Sequence, residues 1–360
     1  MKSREEIRNG MPEVGEEQIA LLERLSNASG VTGGEGEVRK IVLEEVEGQA
    51  DSVEVDALGN VIVEKRGAGE RLKRVMLSAH MDEIGLMITV DEGDGMYQFE
   101  RVGGIDVRQL PGKVVEIGKE HVLGVIGARA IHLTTREQRE VAIGPEMLRI
   151  DTGMGSTSEK VKIGDRVTFA TKFWQNGTSV FGKALDDRLG VVTLIELLKN
   201  PPENVDLYLV FSTQEEIGLR GARVAAYRIN PDIAIAIDST PANDYPMMDE
   251  AENTTYNTKL GKGPAIYVMD RATISNPQLV KYIMGIAQEY EIPYQIRQAG
   301  GGGTDAGAMH VQREGIPSIS ISVPGRNPHT AIGIARRKDW ENLMKLVYAS
   351  LSSMTEELRL

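Results

Sequence analysis

Cysteine is absent from this chain of 360 residues. The chain therefore cannot form a disulfide, a thiol nucleophile, an iron–sulfur cluster or a thiolate zinc site. Any metal ion must be held by histidine and carboxylate side chains. The amino-terminal segment also lacks the apolar core of a signal peptide, and no stretch approaches the ~18 consecutive apolar residues that span a membrane. We therefore expect a cytoplasmic protein without a membrane partner.

Basic residues are outnumbered by acidic ones, since 41 Lys and Arg face 53 Asp and Glu and the net charge is −12. This charge has the wrong sign for a surface that follows nucleic-acid phosphates, so we expect no nucleic-acid partner. With 41% hydrophobic residues the chain can bury a large core. A length prior of roughly 150 residues per domain suggests about two domains.

The hydrophobic pattern changes twice along the chain. Up to residue 82, two helical repeats are followed by strands. From 83 to 178, short β-branched runs broken by Gly, Pro and Asp predict an all-β insert, similar to a small barrel. From 179 to 360, helices, including one over 304–314, alternate with apolar strands, which predicts a mostly parallel sheet covered on both faces. The predicted fold is a three-layer α/β domain, 1–82 plus 179–360, interrupted by the insert.

Acidic and histidine side chains collect where the predicted strands end. In open α/β sheets, ligands bind outside the carboxyl ends of the strands. Each residue alone has an ordinary explanation, such as an N-cap for Asp186 or a turn for Asp238. Their convergence is not explained this way, because unpaired carboxylates are costly to bury together. The residues concerned are His80, Asp82, Asp186, Glu215, Glu216, Asp238 and His329.

Five of these side chains form a suitable ligand set for metal ions. Two neutral imidazoles and three carboxylates would balance two dications and one hydroxide, and zinc, cobalt or manganese suits such nitrogen and oxygen donors. One carboxylate would bridge ions about 3.5–4 Å apart, as in two-metal hydrolases. Glu215 is left over beside the ligands and is the natural general base. The five are His80, Asp186, Glu216, Asp238 and His329.

Two other groups of residues are expected to have supporting roles. The glycine-rich loop is expected to line the site with its backbone, through Gly302, Gly303, Thr304 and Asp305. The remaining histidines are expected to be structural, because two fall in the β insert and one falls inside a predicted helix. These are His121, His132 and His310.

An ordered set of short motifs resembles the tetrahedral (TET), deblocking or glutamyl aminopeptidases, a family of co-catalytic two-metal peptidases. Any single motif is weak, but their order and spacing cover nearly the whole chain. Some relatives in this family carry an endoglucanase label. The motifs are AHMDEIG at 79–85, GKALDDRLG at 182–190, QEEIG at 214–218, AIDST at 236–240, GGGTDAG at 301–307 and PGRNPHT at 324–330.

The resemblance implies a role for each predicted site residue. One metal ion would be held by His80 and Asp238 and the other by Glu216 and His329, with Asp186 bridging the two. Glu215 would be the general base, and Asp82 would orient His80. The peptide bond between Asp186 and Asp187 would be cis. In the last motif, relatives often have an aromatic residue and a serine around the histidine, whereas this chain has Asn327, Pro328 and Thr330.

The resemblance also implies an assembly and an activity. The insert falls where the family has its dimerisation domain, and the dimers would form a hollow dodecamer that admits peptides. The predicted reaction is hydrolysis of the amino-terminal residue from a peptide by a metal-activated water. The preferred residue is not predicted.

Three alternatives to this activity stay open. The same metal core would suit a deacylase or amidase for N-acyl amino acids. A glycoside hydrolase would need two carboxyls flanking a sugar bond and would give the histidines no task. A self-assembling shell with a structural metal site would not use Glu215.

Overall fold

A large mixed sheet flanked by helices and a small closed barrel make up the fold in the computed structural model, which describes residues 2–69, 72–153, 159–248, 253, 257–298 and 300–358. The predicted α/β class with a small barrel is confirmed. Within these ranges no helix combines the length and apolar character needed to cross a membrane.

The strands and helices are numbered in chain order over the same ranges. The strands are β1 (Ser52–Val55), β2 (Val61–Lys65), β3 (Lys73–His80), β4 (Gly85–Gly93), β5 (Met96–Val102), β6 (Val114–Ile117), β7 (Val122–Gly127), β8 (Arg149–Asp151), β9 (Arg166–Phe169), β10 (Trp174–Asn176), β11 (Ser179–Gly182), β12 (Val205–Ser212), β13 (Ile233–Pro241), β14 (Ala265–Ile266), β15 (Gln295–Ile296), β16 (Ser318–Arg326) and β17 (Gly333–Arg336). The α-helices are α1 (Arg4–Asn9), α2 (Glu16–Asn27), α3 (Gly36–Val46), α4 (Arg136–Glu140), α5 (Leu185–Lys199), α6 (Arg220–Ile229), α7 (Pro277–Glu289), α8 (Asp305–Met309) and α9 (Arg337–Ser352). Short 3₁₀ turns occupy Val107–Gln109, Ile131–Leu133 and Pro145–Met147.

The centre of the large sheet is parallel, in the order β12, β3, β13, β16. Antiparallel strands extend it on both sides, β2 beyond β12 and β17 beyond β16. The carboxyl ends of the four central strands therefore meet at one edge of the sheet, which is where ligands bind in open α/β folds.

The alternating side chains of β3 explain the three layers. Val75, Leu77 and Ala79 belong to the hydrophobic core that also contains α5, α7 and α9. Met76 points to the other face, in a second core with residues of α6 and α8. Because successive strand residues point to opposite faces, His80 lies on the same face as Met76. Both faces of the sheet are thus covered by helices.

The barrel closes in the order β4, β5, β8, β7, β6, β9. Its interior is a separate hydrophobic core that includes Leu86, Tyr97, Phe99 and Ile150. The next strand, β10, already belongs to the large sheet, where it pairs with β11. The chain therefore returns to the large sheet before the predicted insert boundary at residue 178.

Two helices differ from their predicted form. At the start of α5, Asp186 and Asp187 have non-helical backbone angles, and the peptide bond between them is cis, as the resemblance implies. The helix predicted over 304–314 ends at Met309, because a turn follows in which Arg313 has a φ of 55°. His310 is therefore the C-cap of α8 rather than an interior helix residue.

A buried ionic cluster connects the barrel to the large domain. Glu83, at the end of the link from β3 to the barrel, accepts two hydrogen bonds from Lys183 Nζ at 2.8 and 3.0 Å. Arg188 Nη2 lies 3.4 Å from the same carboxylate, and Thr168 Oγ1 of β9 donates to it at 3.1 Å. Burial lowers the pKa of Lys183, and the charge of Glu83 opposes that shift. All three charged side chains are almost fully buried, so each depends on its partners.

Replacing Glu83 with glutamine is expected to reduce the free energy of unfolding by about 3–5 kcal/mol, because it leaves two buried cations without a counter-ion. The measurement is urea unfolding of the metal-free protein.

The matched control is Glu140→Gln, which removes an exposed pair with Arg136, and it should change stability little. A loss for Glu83→Gln no larger than that of this control would contradict the role of the cluster.

Candidate metal centre

Side chains from adjacent strand ends meet in one cavity. In the register of β3 and β13, Ala236 pairs with Ser78. His80 and Asp238 each stand two residues farther along, so they project side by side from the same face. This placement agrees with the predicted convergence of side chains at the strand ends.

The first cluster consists of His80, Asp186 and Asp238. His80 Nε2 lies 3.3 Å from Asp186 Oδ1 and 3.9 Å from Asp238 Oδ1. One ligand atom from each of the three residues lies within 4.8 Å of the other two. A single cation can therefore reach all three.

The second cluster consists of Asp186, Glu216 and His329 and meets the same distance limit. His329 Nε2 lies 3.4 Å from Glu216 Oε2 and 3.7 Å from Asp186 Oδ2. Asp186 thus belongs to both clusters, and its two oxygens face different histidines. This is the geometry of a bridging carboxylate.

The backbone fixes the orientation of both imidazoles. His80 Nδ1 lies 3.0 Å from the carbonyl oxygen of Asp82, and His329 Nδ1 lies 2.9 Å from that of Gly104. Because a carbonyl oxygen only accepts, Nδ1 carries the proton in each hydrogen bond. The Nε2 atoms of both rings are therefore directed at the carboxylates, and once deprotonated they could serve as metal ligands.

The contacts of Asp82 differ from the expected ones. Its carboxylate is 3.7 Å from His80 Nδ1, too far for a hydrogen bond, and the backbone carbonyl orients the ring instead. The carboxylate accepts hydrogen bonds from the backbone N–H of Glu215 at 3.0 Å, the backbone N–H of Glu216 at 3.2 Å, and Thr32 Oγ1 at 2.7 Å. Asp82 therefore holds the turn that carries both glutamates.

The clustered carboxylates shift one another's pKa values. Burial tends to raise the pKa of Asp186, but its hydrogen bond with His80 and the charges of His80 and His329 lower it to about 2. Burial and the charge of Asp186 raise the pKa of Glu216 to about 7, against the opposing charge of His329. The same two causes raise the pKa of Asp238 well above its usual range. So many carboxylates ionise together only where cations neutralise them.

Glu215 stands beside both clusters without belonging to either. It lines the cavity, and within the described ranges its carboxylate accepts no hydrogen bond. Burial raises its pKa well above the usual range, and the charges of Glu216 and Asp305 add to this shift, while His80 opposes it. Glu215 is therefore a free carboxyl group at the edge of the candidate metal site.

The donor set fits divalent metal ions. Two imidazole nitrogens and three carboxylates suit borderline or hard cations such as zinc, cobalt or manganese. A fourth carboxylate, Asp187, faces away from the clusters and accepts hydrogen bonds from the backbone N–H groups of His80 and Gly190. Asp187 thus fixes the backbone at His80 next to the candidate ligands.

The cavity beside the clusters has a volume of about 730 Å³. Gly302 and Gly303 line it, as predicted from the glycine-rich loop. Thr304 and Asp305 do not, since both are buried beneath it. Thr304 caps α8, and the Asp305 carboxylate accepts hydrogen bonds from Ser78 and Ser212 at 2.6 Å each.

The loop that carries His329 departs from the expected motif without displacing the histidine. Asn327 and His329 have φ values of 56° and 54°, in the left-handed region that asparagine tolerates well. Thr330 Oγ1 donates to the Asn327 carbonyl at 2.9 Å, and Tyr245 Oη donates to its side chain at 2.8 Å. These contacts hold the turn that aims His329 at Glu216.

Sequence reasoning missed several residues around the site. Thr32, Gly104 and the cavity-lining Tyr267, Arg271 and Arg297 were not singled out. Within the described ranges the other histidines are outside both clusters: His121 pairs with Glu37 and Glu116, His310 contacts a carbonyl of its own helix, and His132 is exposed.

Comparison with known proteins places this site in a family. Residues 59–346 match the family model described as M42 glutamyl aminopeptidase. A putative aminopeptidase of Acetivibrio thermocellus is 36% identical, over 93% of this chain and 99% of that protein. The lysyl aminopeptidase of Pyrococcus furiosus is 34% identical, over 93% and 96%.

Two solved structures of aminopeptidases or peptidases have the same fold as this chain. An aminopeptidase of the archaeon Desulfurococcus kamchatkensis superposes with a TM-score of 0.89 at 33% identity, covering 95% of this chain and 96% of that one. The TET1 peptidase of Pyrococcus horikoshii, described as able to assemble into a tetrahedron or a large octahedral shell, has a TM-score of 0.82 at 36% identity, covering 94% and 100%.

The fold and the site define a hydrolase that removes amino-terminal residues. The chain belongs to the M42 glutamyl aminopeptidase family.

Proposed function

We propose that this aminopeptidase works with two divalent metal ions and a glutamate general base. The observation that carries the proposal is the sharing of Asp186 between two histidine and carboxylate clusters. A single ion would need only one of these clusters, and the carboxylate that belongs only to the other, Asp238 or Glu216, would then stay buried without a metal ion.

The ligand assignment follows the two clusters. His80 and Asp238 would hold one ion, Glu216 and His329 the other, and Asp186 would bridge them. Zinc or cobalt, or alternatively manganese, suits these donors. Ions bound there would polarise the scissile carbonyl and lower the pKa of an attacking water towards ~7.

Glu215 would move the proton. Its carboxylate is uncommitted and lines the cavity, so it is placed to accept a proton from the attacking water. It would then donate the same proton to the nitrogen of the leaving amine. The hydrogen bonds from its backbone and that of Glu216 to Asp82 fix the turn and hence the position of the base.

The charge of the cavity favours a free amino terminus over an acylated one. With metal ions held by Asp186, Glu216 and Asp238, the carboxylate of Glu215 would remain as an anionic group in the lining of the cavity. It would attract a cationic α-amine, whereas it would not attract an amide. This argues against the deacylase alternative. A glycoside hydrolase would leave both histidines, with their fixed Nε2 orientation, without a role.

Replacing Glu215 with glutamine should reduce kcat on a leucyl anilide with a free amine by roughly 10²–10⁴-fold, because the variant keeps the volume of the side chain but cannot take a proton. The metal content, measured by mass spectrometry of the purified protein, should stay at two ions per chain.

The control is Glu203→Gln, an exposed position remote from the cavity, which should leave turnover unchanged. The N-acetylated anilide should be a poor substrate, and a chelator should abolish turnover until divalent metal is restored. Near-full activity of Glu215→Gln would contradict the assignment of the base, and better turnover of the acetylated substrate would favour the deacylase.

We further propose that the chain assembles through its β insert into dimers and then into a hollow dodecamer. The insert carries exposed apolar side chains around a hollow of about 690 Å³, among them Ile131 and Val141, each 70% exposed. Exposed apolar groups at this density mark interaction surfaces. The related TET1 peptidase supports the same kind of closed shell.

Light scattering of the purified protein should give the mass of twelve chains, and Ile131→Glu with Val141→Glu should give a smaller species, because charges replace apolar contacts. The variant should still cleave an anilide. A mass unchanged by the double substitution would show that the insert does not form the contact.

A further inference from the structure

The glutamate loop, 213–221, carries both glutamates of the candidate site and runs from the end of β12 into the first turn of α6. Its two ends meet, because the backbone N–H of Gly221 donates to the carbonyl oxygen of Thr213 at 2.9 Å. Inside it, Gln214 and Leu219 have φ values of 56° and 57°. This backbone region is strained for residues that carry a side chain, and it persists where the surroundings hold it. The loop therefore depends on contacts from outside itself.

One such contact is the side chain of Asn60, which stands directly before β2 and is fully buried. Its Oδ1 accepts a hydrogen bond from the backbone N–H of Thr213 at 2.9 Å. Its Nδ2 donates to the carbonyl oxygen of Gly221 at 3.1 Å. The two contacts reach 153 and 161 residues along the chain. Asn60 thus bridges the first and last residues of the glutamate loop and clasps its neck.

The partners of Asn60 fix which end of its amide is nitrogen. A carbonyl and a carboxylate accept hydrogen bonds, so Nδ2 faces Gly221 and also Asp56 Oδ2, 2.6 Å away. Both amide hydrogens are then used, and the oxygen meets the N–H of Thr213. A Cβ added at Gly221 would overlap Asn60 Oδ1 and the Thr213 carbonyl. The clasp is therefore closely packed as well as hydrogen-bonded.

A role confined to its own turn would not explain these contacts of Asn60. Asp56 Oδ1 already accepts hydrogen bonds from three consecutive backbone N–H groups, those of residues 58–60, at 2.9, 3.0 and 3.1 Å. The turn that leads into β2 is thus closed by Asp56. The Asn60 side chain adds one contact to that turn, and its other hydrogen bonds go to the glutamate loop.

We infer that Asn60 is a positioning residue for the general base Glu215. The inference rests on the proposed function, in which Glu215 moves a proton from the attacking water to the leaving amine. Glu215 lies two residues beyond Thr213, and Asp82 accepts a hydrogen bond from its backbone N–H at 3.0 Å. Asn60 is buried and outside the cavity lining, so it acts only through the loop.

The base is the side chain of the loop that depends most on this backbone. Glu216 would be anchored by its metal ion, whereas the carboxylate of Glu215 accepts no hydrogen bond within the described ranges. Its approach to the attacking water is therefore set by the loop alone. The clasp at Asn60 and the hydrogen bonds to Asp82 together fix that approach.

Replacing Asn60 with alanine removes both of its hydrogen bonds to the glutamate loop. We expect kcat on a leucyl anilide with a free amine to fall by roughly 10–10²-fold, because a displaced base loses its alignment with the attacking water. KM and the metal content of the purified protein should stay as in the wild type, since Asn60 lies outside the cavity lining and Glu216 keeps its hydrogen bond to Asp82.

A double-mutant cycle separates positioning from folding. In the Glu215→Gln background no base remains to be positioned, so adding Asn60→Ala should change the residual turnover by less than about twofold. A loss of folded protein would instead lower turnover by the same factor in both backgrounds. That result, or a lower metal content of Asn60→Ala, would overturn the inference.

The matched control is Asn204→Ala. The Asn204 amide donates to the carbonyl oxygens of Leu351 and Met354 at 2.8 and 2.6 Å, and it stands at the opposite end of β12 from the glutamate loop. This variant also loses two hydrogen bonds from a side-chain amide to the backbone. It should lower stability in urea without changing kcat.

A second variant serves if Asn60→Ala does not fold. The exchange of Asp56→Asn with Asn60→Asp keeps the net charge and a hydrogen bond between positions 56 and 60, but it turns an oxygen towards the Gly221 carbonyl. Positioning predicts the same loss of kcat as for Asn60→Ala. Full turnover of the exchanged variant would show that only the local turn matters and would overturn the inference.

The outcomes separate the inference from the function on which it rests. Full kcat of Asn60→Ala beside an inactive Glu215→Gln would overturn the positioning role and leave the proposed function intact. Near-full activity of Glu215→Gln would remove the proposed base, and the inference would fail with it.

Discussion

The shared carboxylate of Asp186 is the contact on which the rest of the site depends. Its two oxygens lie 3.3 Å and 3.7 Å from Nε2 of His80 and His329, which come from strand ends on different parts of the sheet. Each histidine is oriented by a backbone carbonyl, and one of these belongs to the link that leads into the barrel. The insert therefore orients one candidate ligand, His329, through the Gly104 carbonyl, while the candidate ligand side chains all belong to the large domain.

Repulsion between the clustered acids explains why hydrogen bonds and buried cations surround the site. Acidic groups crowd the site, and their raised pKa values record the cost of holding them together without cations. Beneath them, the carboxylate of Asp82 accepts hydrogen bonds from Thr32 and two backbone N–H groups, which stabilise its buried charge. Behind them, Glu83 is matched by two buried cations. Among the described residues, the acids that face the cavity have no lysine or arginine within 4.0 Å, and their ion-pair partners are the two histidines.

The sequence predicted two features of the fold, namely the sheet with helices on both faces and the convergence of polar residues at its strand ends. Near-continuous apolar strands alternating with helices predicted a sheet covered on both faces, and the polar residues after each strand were predicted to converge. Contacts between residues far apart in sequence left no local pattern. The Glu83 cluster joins positions 100 and 105 residues apart, and the Gly104 carbonyl reaches His329 across 225 residues. The family resemblance implies that Asp82 orients His80, but its carboxylate accepts hydrogen bonds from the backbone N–H groups of Glu215 and Glu216.

Anomalous X-ray diffraction from crystals of the zinc-loaded protein tests whether Asp186 bridges two metal ions. We expect two anomalous peaks about 3.5–4 Å apart, one beside His80 and Asp238 and the other beside His329 and Glu216, with an oxygen of Asp186 at each. A single peak in protein saturated with metal, or two peaks that do not share Asp186, would contradict it.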